Sequence, residues 1–222
     1  MAENVKRDKN FFALSLKGIG RLQNQDARLV IQSEMYDVFA VFDGVGSAKN
    51  AKKATQMAAM FIRKYHERFL HERIRLSAMI AECNDYIVAS NLIEPFSTVC
   101  IVVILKHSED VFYISVGDSR IYLVTNQYIE QISKDDKVSD SNVLNKCLGM
   151  AELGHGDFEQ KRFRLERGFL ALCTDGFYSL MEKNKLLFFN VLNKKRPSTI
   201  RENLRKMIKG NNLDDATLLV IK

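Results

Sequence analysis

The 222-residue chain is poor in the features that define several protein classes. Its four cysteines, Cys83, Cys100, Cys147 and Cys173, are scattered through apolar patterns without a CxxC pair. Such spacing argues for buried thiols rather than a zinc site or a disulfide framework. The four histidines lack metal-ligand spacing; His66 and His71 share a helical stretch but, five apart, point from different faces. With only two prolines, no low-complexity segment and no internal repeat, nothing marks a linker, so residues 1–222 read as a single domain. No apolar run approaches the roughly 20 residues of a membrane span, and the polar opening MAENVKRDKN precedes no stretch of signal-peptide length. The expectation is a cytoplasmic protein that does not engage a membrane.

What is present is a core and a mild positive charge. At 46% hydrophobic and 27% charged residues, the chain can bury a sizeable interior and remain soluble. Much of the net charge of +6 comes from the C-terminal third, from Lys183 to Lys209. A basic face can attract nucleic acid or an acidic partner. Without interleaved aromatics or a nucleic-acid motif, a solvated helix surface is the simpler reading, and no nucleic-acid partner is expected.

Strand-like runs dominate the pattern. FFALSLKG, ARLVIQS and DVFAVF open the chain, and two amphipathic helices follow, over residues 50–70 and from Leu76 through Met79, Ile80, Cys83 and Ile87. STVCIVVILK, DVFYISV, RIYLVTN and QYIEQIS then read as strands, with HSED and TNQ short enough for hairpins. After an irregular stretch at 134–157 come FEQKRFRL and GFLALCT, two helices, and the closing strand ATLLVIK. The later helix is expected to start near Thr199, with Glu202 completing a capping box, and to stop at Gly210. Many strands with two helix pairs predict an α+β fold, a β-sandwich of two antiparallel sheets flanked by pairs of helices in α-β-β-α layers.

Acids recur where apolar runs stop. FAVF ends on Asp43 and Gly44, LALCT on Asp175 and Gly176, and SVG on Asp118; Asp135 and Asp136 sit in ISKDDKV, and Asp214 and Asp215 precede the last strand. Asp-Gly is common turn chemistry, and a series of turns remains one reading. The other is a shared site. Carboxylates gathered without partners repel, and hard divalent cations such as Mg²⁺ and Mn²⁺, which prefer oxygen ligands, remove that cost.

Taken in order, GRLQNQDA, VFDGVGS, FSTVCIVV with VGDSRIYLV, LCTDGF and LDDATLLV resemble the motifs of the metal-dependent protein phosphatases, protein phosphatase type 2C, and SKDDK and NKCLG fit weaker motifs between them. The resemblance spans nearly the whole chain and points to a compact, bacterial-type member. It implies two central antiparallel sheets flanked by helix pairs, and hydrolysis of phosphoserine and phosphothreonine in proteins. It implies two Mn²⁺ or Mg²⁺ ions: Asp43 bridging both, Asp175 and Asp214 on one, the Gly44 carbonyl on the other. Asp135, with Asp175, would hold a third ion. A water between the two cations would lose a proton near neutral pH and attack the phosphomonoester in line. Arg21 would bind the substrate phosphate with its planar fork, and is otherwise an ordinary salt-bridge arginine. Asp135 is otherwise an ordinary turn acid. Asp26 and Asp118 fall outside the ligand set, Asp26 as a hydrogen-bonding neighbour and Asp118 as strand-end support. The implied partners are a phosphorylated protein and the opposing Ser/Thr kinase, with the chain a monomer.

The sequence departs from the family pattern at three places. Gln25 stands where a glutamate is usual, Val45 where some members carry a histidine proposed as general acid, and Asp215 where asparagine is usual. Gln25 opens an alternative, a pseudophosphatase that keeps the fold as a binding or regulatory module. A nuclease drawing on the basic C-terminal region is a third reading, opposed by the ordered motifs.

Overall fold

The computed structural model describes residues 10–139, 141 and 143–222. The polar opening stretch, residues 1–9, lies outside them, as do positions 140 and 142 of the irregular region. Among the described residues ten strands form two five-stranded antiparallel sheets. The first contains β1 (Phe11–Leu16), β10 (Ala216–Ile221), β9 (Phe169–Cys173), β6 (Arg120–Val124) and β7 (Ile129–Gln131), in that spatial order. The second contains β2 (Ala27–Gln32), β3 (Tyr36–Phe42), β4 (Val99–Leu105), β5 (Asp110–Val116) and β8 (Lys161–Arg164). The expected hairpins through residues 107–110 and 125–127 are both formed, joining β4 to β5 and β6 to β7.

The unbroken apolar runs reflect burial on both faces of each sheet. In β3, Phe39 and Val41 point between the sheets, against Val102 and Ile104 of β4 and Leu170 and Leu172 of β9. The alternate residues Val38, Ala40 and Phe42 face outward, under α1 (Ala51–Leu70) and α2 (Leu76–Val88), where Ala58, Ile62, Met79 and Ile80 cover them. A strand covered on both faces has no polar position to alternate with. Truncating a side chain as enclosed as Phe39 costs about 3–5 kcal/mol. β10 repeats the scheme: Leu219 and Ile221 point inward, Leu218 and Val220 outward.

The layers are as expected, but the second helical layer has three members rather than two: α3 (Asp175–Lys183), α4 (Lys185–Leu192) and α5 (Pro197–Ile208). The chain breaks at Asn184, whose backbone leaves the helical region. The capping box at Thr199 does not form. Pro197 starts α5 instead, its fixed φ and missing N–H suiting the first helical position. Glu202 is free of the cap and pairs with Lys206 at 2.7 Å on the solvent side. The strand expected over 127–133 keeps only Ile129–Gln131 in the ladder. All four cysteines are free and buried. Among the described residues no helix is long and apolar enough to cross a membrane.

This topology brings five connections to one end of the sandwich: the β1–β2 loop, the end of β3, the β5–β6 turn, the β9–α3 junction and the approach to β10. Asp43, Asp118, Asp175 and Asp214 lie there.

Candidate active site

Asp43 leaves β3 in a fixed position. Its N–H donates to Thr98 Oγ1 at 3.0 Å, and its carbonyl accepts from Thr98 N at 2.8 Å. Thr98 Oγ1 lies 2.7 Å from Ser119 Oγ, which ties this strand end to the β5–β6 turn. That turn needs Gly117: its φ is +92°, and a Cβ there would meet the Thr98 side chain at 2.7 Å. On the other sheet Asp175 opens α3, and Gly176 lets the helix start against the last strand, since a Cβ would fall 2.2 Å from the Asp215 carbonyl oxygen.

The Asp43 and Asp175 carboxyl groups come within hydrogen-bond reach of each other. Burial, followed by the negative charges of Asp26, Asp175, Asp118 and Asp214, holds Asp43 well above the usual carboxylate range. Burial, with Asp118 and Asp214, pushes Asp175 up to about 6. Its Oδ1 is buried without a hydrogen-bond partner. Beneath them lies Asp26, 5% exposed, with Oδ2 accepting from Thr174 Oγ1 at 2.9 Å and Oδ1 again unpartnered; burial pushes this group to about 7. Carboxyl groups this close and this enclosed must share protons or take up a cation.

Arg21 lies in the β1–β2 loop at the rim. Its Nη2 donates to Asp214 Oδ2 at 2.5 Å and its Nη1 to the Gly46 carbonyl at 3.4 Å. Arg21 and Asp214, 193 residues apart, are therefore brought together, with the guanidinium occupying one Asp214 oxygen. Gln25 is pinned through its backbone: its N–H donates to Asp215 Oδ2 at 2.6 Å and its carbonyl accepts from Thr55 Oγ1 at 2.8 Å. Its Cβ lies against Gly44, which itself bridges to Ser97.

Two further acids are held by cations, Asp135 by Arg120 and Asp118 by Lys137. Asp135 Oδ2 accepts from Arg120 Nη2 at 2.8 Å and its Oδ1 from Arg120 Nε at 3.0 Å and from Gln131 Nε2 at 2.8 Å. A bidentate arginine thus engages both Asp135 oxygens, as Arg21 engages one oxygen of Asp214. Asp118 is the acid that faces the cluster; its charge bears on both Asp43 and Asp175, and it accepts from Lys137 Nζ at 2.7 Å. The importance of Asp215 is also missed in the sequence. Its Oδ1 accepts from Gly18 N at 2.8 Å, and with the Gln25 contact it clamps both sides of the loop that carries Arg21. The Asp-Asp doublet shows that two acids are present, but not which one turns inward.

Among the described residues no three His, Cys, Asp or Glu side chains converge into a ready-made metal cage. The donor chemistry nonetheless fits a hard divalent cation. Asp43 and Asp175 present oxygens side by side, and one Asp175 oxygen is buried and unpartnered.

Solved structures with this architecture include bacterial serine/threonine phosphatases. The serine/threonine phosphatase Stp1 from Staphylococcus aureus superposes with a TM-score of 0.79 at 18% identity, covering 100% of this chain and 97% of its own. RsbX in complex with magnesium gives 0.69 at 18% identity, with 96% and 94% covered. In sequence, a Mycoplasma genitalium protein named as a candidate protein phosphatase is 24% identical over 251 residues, spanning 96% of this chain and 95% of that protein. The family model for protein phosphatase 2C matches residues 20–209, and the chain belongs to that family.

Proposed function

We propose that the protein is a divalent-cation-dependent phosphatase acting on phosphoserine and phosphothreonine in proteins. The observation that carries this reading is the pairing of Asp43 and Asp175 at two strand ends, half-buried, mutually repelling, and with an unsatisfied oxygen. Asp43, Asp175, Asp214 and the Gly44 carbonyl would hold two Mg²⁺ or Mn²⁺ ions. When bound, such ions supply a nucleophilic water near neutral pH and charge for the phosphoryl oxygens. The magnesium in the RsbX structure supports this cofactor class.

The chain's own groups do the rest. Arg21 can turn its fork from Asp214 to the phosphate, because both oxyanions compete for the same donors. A substrate phosphate that takes Arg21 thereby frees the Asp214 oxygen. Asp215 holds the Arg21 loop in place for this exchange. Thr98 and Ser119 keep Asp43 from following its neighbours' repulsion outward. The partners of this reading are a phosphorylated protein and the kinase that makes it, in the cytoplasm.

Purified protein should release phosphate from a phosphopeptide with Mn²⁺ or Mg²⁺ and stop when chelator is added. Arg21→Ala should lower kcat/KM by roughly 2–4 kcal/mol of transition-state stabilisation without altering the fold. Turnover undiminished in excess chelator overturns the reading. That no three-acid cage is preformed among the described residues favours a second one, a binding module of the same fold, and Mn²⁺-loaded protein inert on every phosphomonoester would support it.

A further inference from the structure

The loop that carries Arg21 also carries apolar side chains that the core does not use. Leu22, directly after the arginine, is fully exposed, and Ile19, two residues before it, is 51% exposed. Leu213 is 83% exposed and directly precedes Asp214, the partner of the arginine. Three large aliphatic residues thus stand in water among glycine, lysine, glutamine and asparagine neighbours. Single exposed aliphatics are ordinary on a protein surface, but these three share two adjoining loops at one arginine.

The two loops are stitched into one rim. The Ile19 N–H donates to the Asn212 carbonyl at 3.0 Å, and the buried Asn212 side chain donates to the carbonyls of Lys17 at 3.1 Å and Asp214 at 3.0 Å. Gly18 lets the loops close on each other: a Cβ there would fall 2.6 Å from the Leu213 carbonyl oxygen. Lys17 Nζ donates to the Arg21 carbonyl at 2.6 Å, which fixes the turn between them. A rim held by this many contacts is preorganised, so little conformational freedom is lost when a chain docks on it.

A phosphate held by Arg21 brings the residues beside it onto this rim, because successive residues of an extended chain lie only about 3.3 Å apart. Resting on the phosphatase reading above, we propose that Ile19, Leu22 and Leu213 form a specificity rim that selects phosphoproteins with a large aliphatic or aromatic side chain next to the phosphorylated residue. Contact there removes apolar area of both partners from water. On an open rim the result is a graded preference rather than an absolute requirement.

The test uses full-length protein with Mn²⁺ and three phosphothreonine peptides of equal length. One has serines on both sides of the phosphothreonine, one has leucine in place of the preceding serine, and one has leucine in place of the following serine. One of the leucine peptides should exceed the all-serine peptide in kcat/KM by about tenfold. Leu22→Ser with Leu213→Ser should lower kcat/KM on that peptide about tenfold more than on the all-serine peptide. Leu186→Ser with Leu187→Ser, which removes two exposed leucines from α4, should keep the preference. A wild type that turns over all three peptides alike overturns the inference and leaves the phosphatase reading standing. A rim variant that keeps the preference does the same, as does one that loses equally on all three peptides, since the substitutions would then act through Arg21. Loss of the preference in the α4 variant, or wild-type activity on p-nitrophenyl phosphate but on none of the peptides, also overturns it. Wild type inert on the peptides and on p-nitrophenyl phosphate overturns the phosphatase reading and the inference with it.

Discussion

Strand β3 carries an acid near each end, and the two have opposite surroundings. At one end Asp37 is fully buried, with the ammonium of Lys106 at 3.2 Å, itself almost enclosed. At the other end Asp43 faces Asp26, Asp175, Asp118 and Asp214. Asp37 pairs with Ile104 of β4, and Asp43, just past the other end of β3, meets Thr98 just before β4; the first is fully buried and the second half-buried. An acid supplied with its own cation completes a structure. An acid surrounded by acids is unfinished until a cation arrives from solution. Stability is concentrated at the first end and chemistry at the second, and substitutions at the two ends should have opposite signatures.

The largest effect is expected at Asp43. Asp43→Asn should reduce phosphatase turnover to that of chelated wild type, because in the proposed mechanism Asp43 is the ligand that both ions would share. The same change relieves repulsion, so in chelator the variant should melt higher than wild type, and added Mn²⁺ should raise its melting temperature less. A variant that melts lower in chelator would show that the carboxylate stabilises this end of β3, and the contrast would fail. At the opposite end, Asp37→Asn should strand a buried ammonium and cost about 3–5 kcal/mol in urea denaturation, with kcat/KM of the folded protein unchanged. A loss below about 1 kcal/mol would mean that the pair is replaceable by water.

Asp26 sharpens the comparison through pH. Its folded carboxyl titrates at about 7, above its ordinary value near 4, because burial disfavours the charge. Between those values the folded protein holds a proton that the unfolded chain has released. Stability in chelator should therefore fall as pH rises from about 4 through about 7, by of order 2–4 kcal/mol from this group. Asp26→Asn keeps an oxygen for Thr174 and should flatten that slope in a pH series of denaturation curves; an identical slope would place the proton elsewhere. The smallest effect belongs to Gln25. With its backbone pinned and its Cβ against Gly44, Gln25→Glu would set one more carboxylate beside the site. The midpoint of a Mn²⁺ titration should move about 10–100-fold lower, with little change in rate at saturation. A midpoint that stays put would show that the residue 25 side chain turns away from the ions.

Much of this molecule is legible in its residue order. The runs at 38–42, 99–105 and 169–173 are too apolar and too short for anything but strands covered on both faces, and the acids that end them mark one end of the sandwich. The family resemblance, carried by Arg21, Asp43, Asp175 and Asp214, is likewise readable in order along the chain. The third helix of the second layer is less legible, because the break at Asn184 is a single residue within a continuous apolar pattern. The capping box at Thr199 is a sound local motif displaced by an equally local one, Pro197, two residues earlier.

The sequence by itself thus determines the layers, the strand ends, and the set of acids available there, because burial periodicity and strand termination are properties of neighbouring residues. Only the tertiary structure decides which acids face one another. Asp135 and Asp118 both follow apolar segments, yet Arg120 claims the first in a two-pronged pair, while the second turns to Asp43 and Asp175 and meets Lys137. Asp214 and Asp215 are adjacent, yet one meets Arg21 and the other two backbone N–H groups of the β1–β2 loop, about 190 residues away. Each outcome depends on which cation or N–H lies nearest after folding, and electrostatic energy follows distance in space rather than separation along the chain.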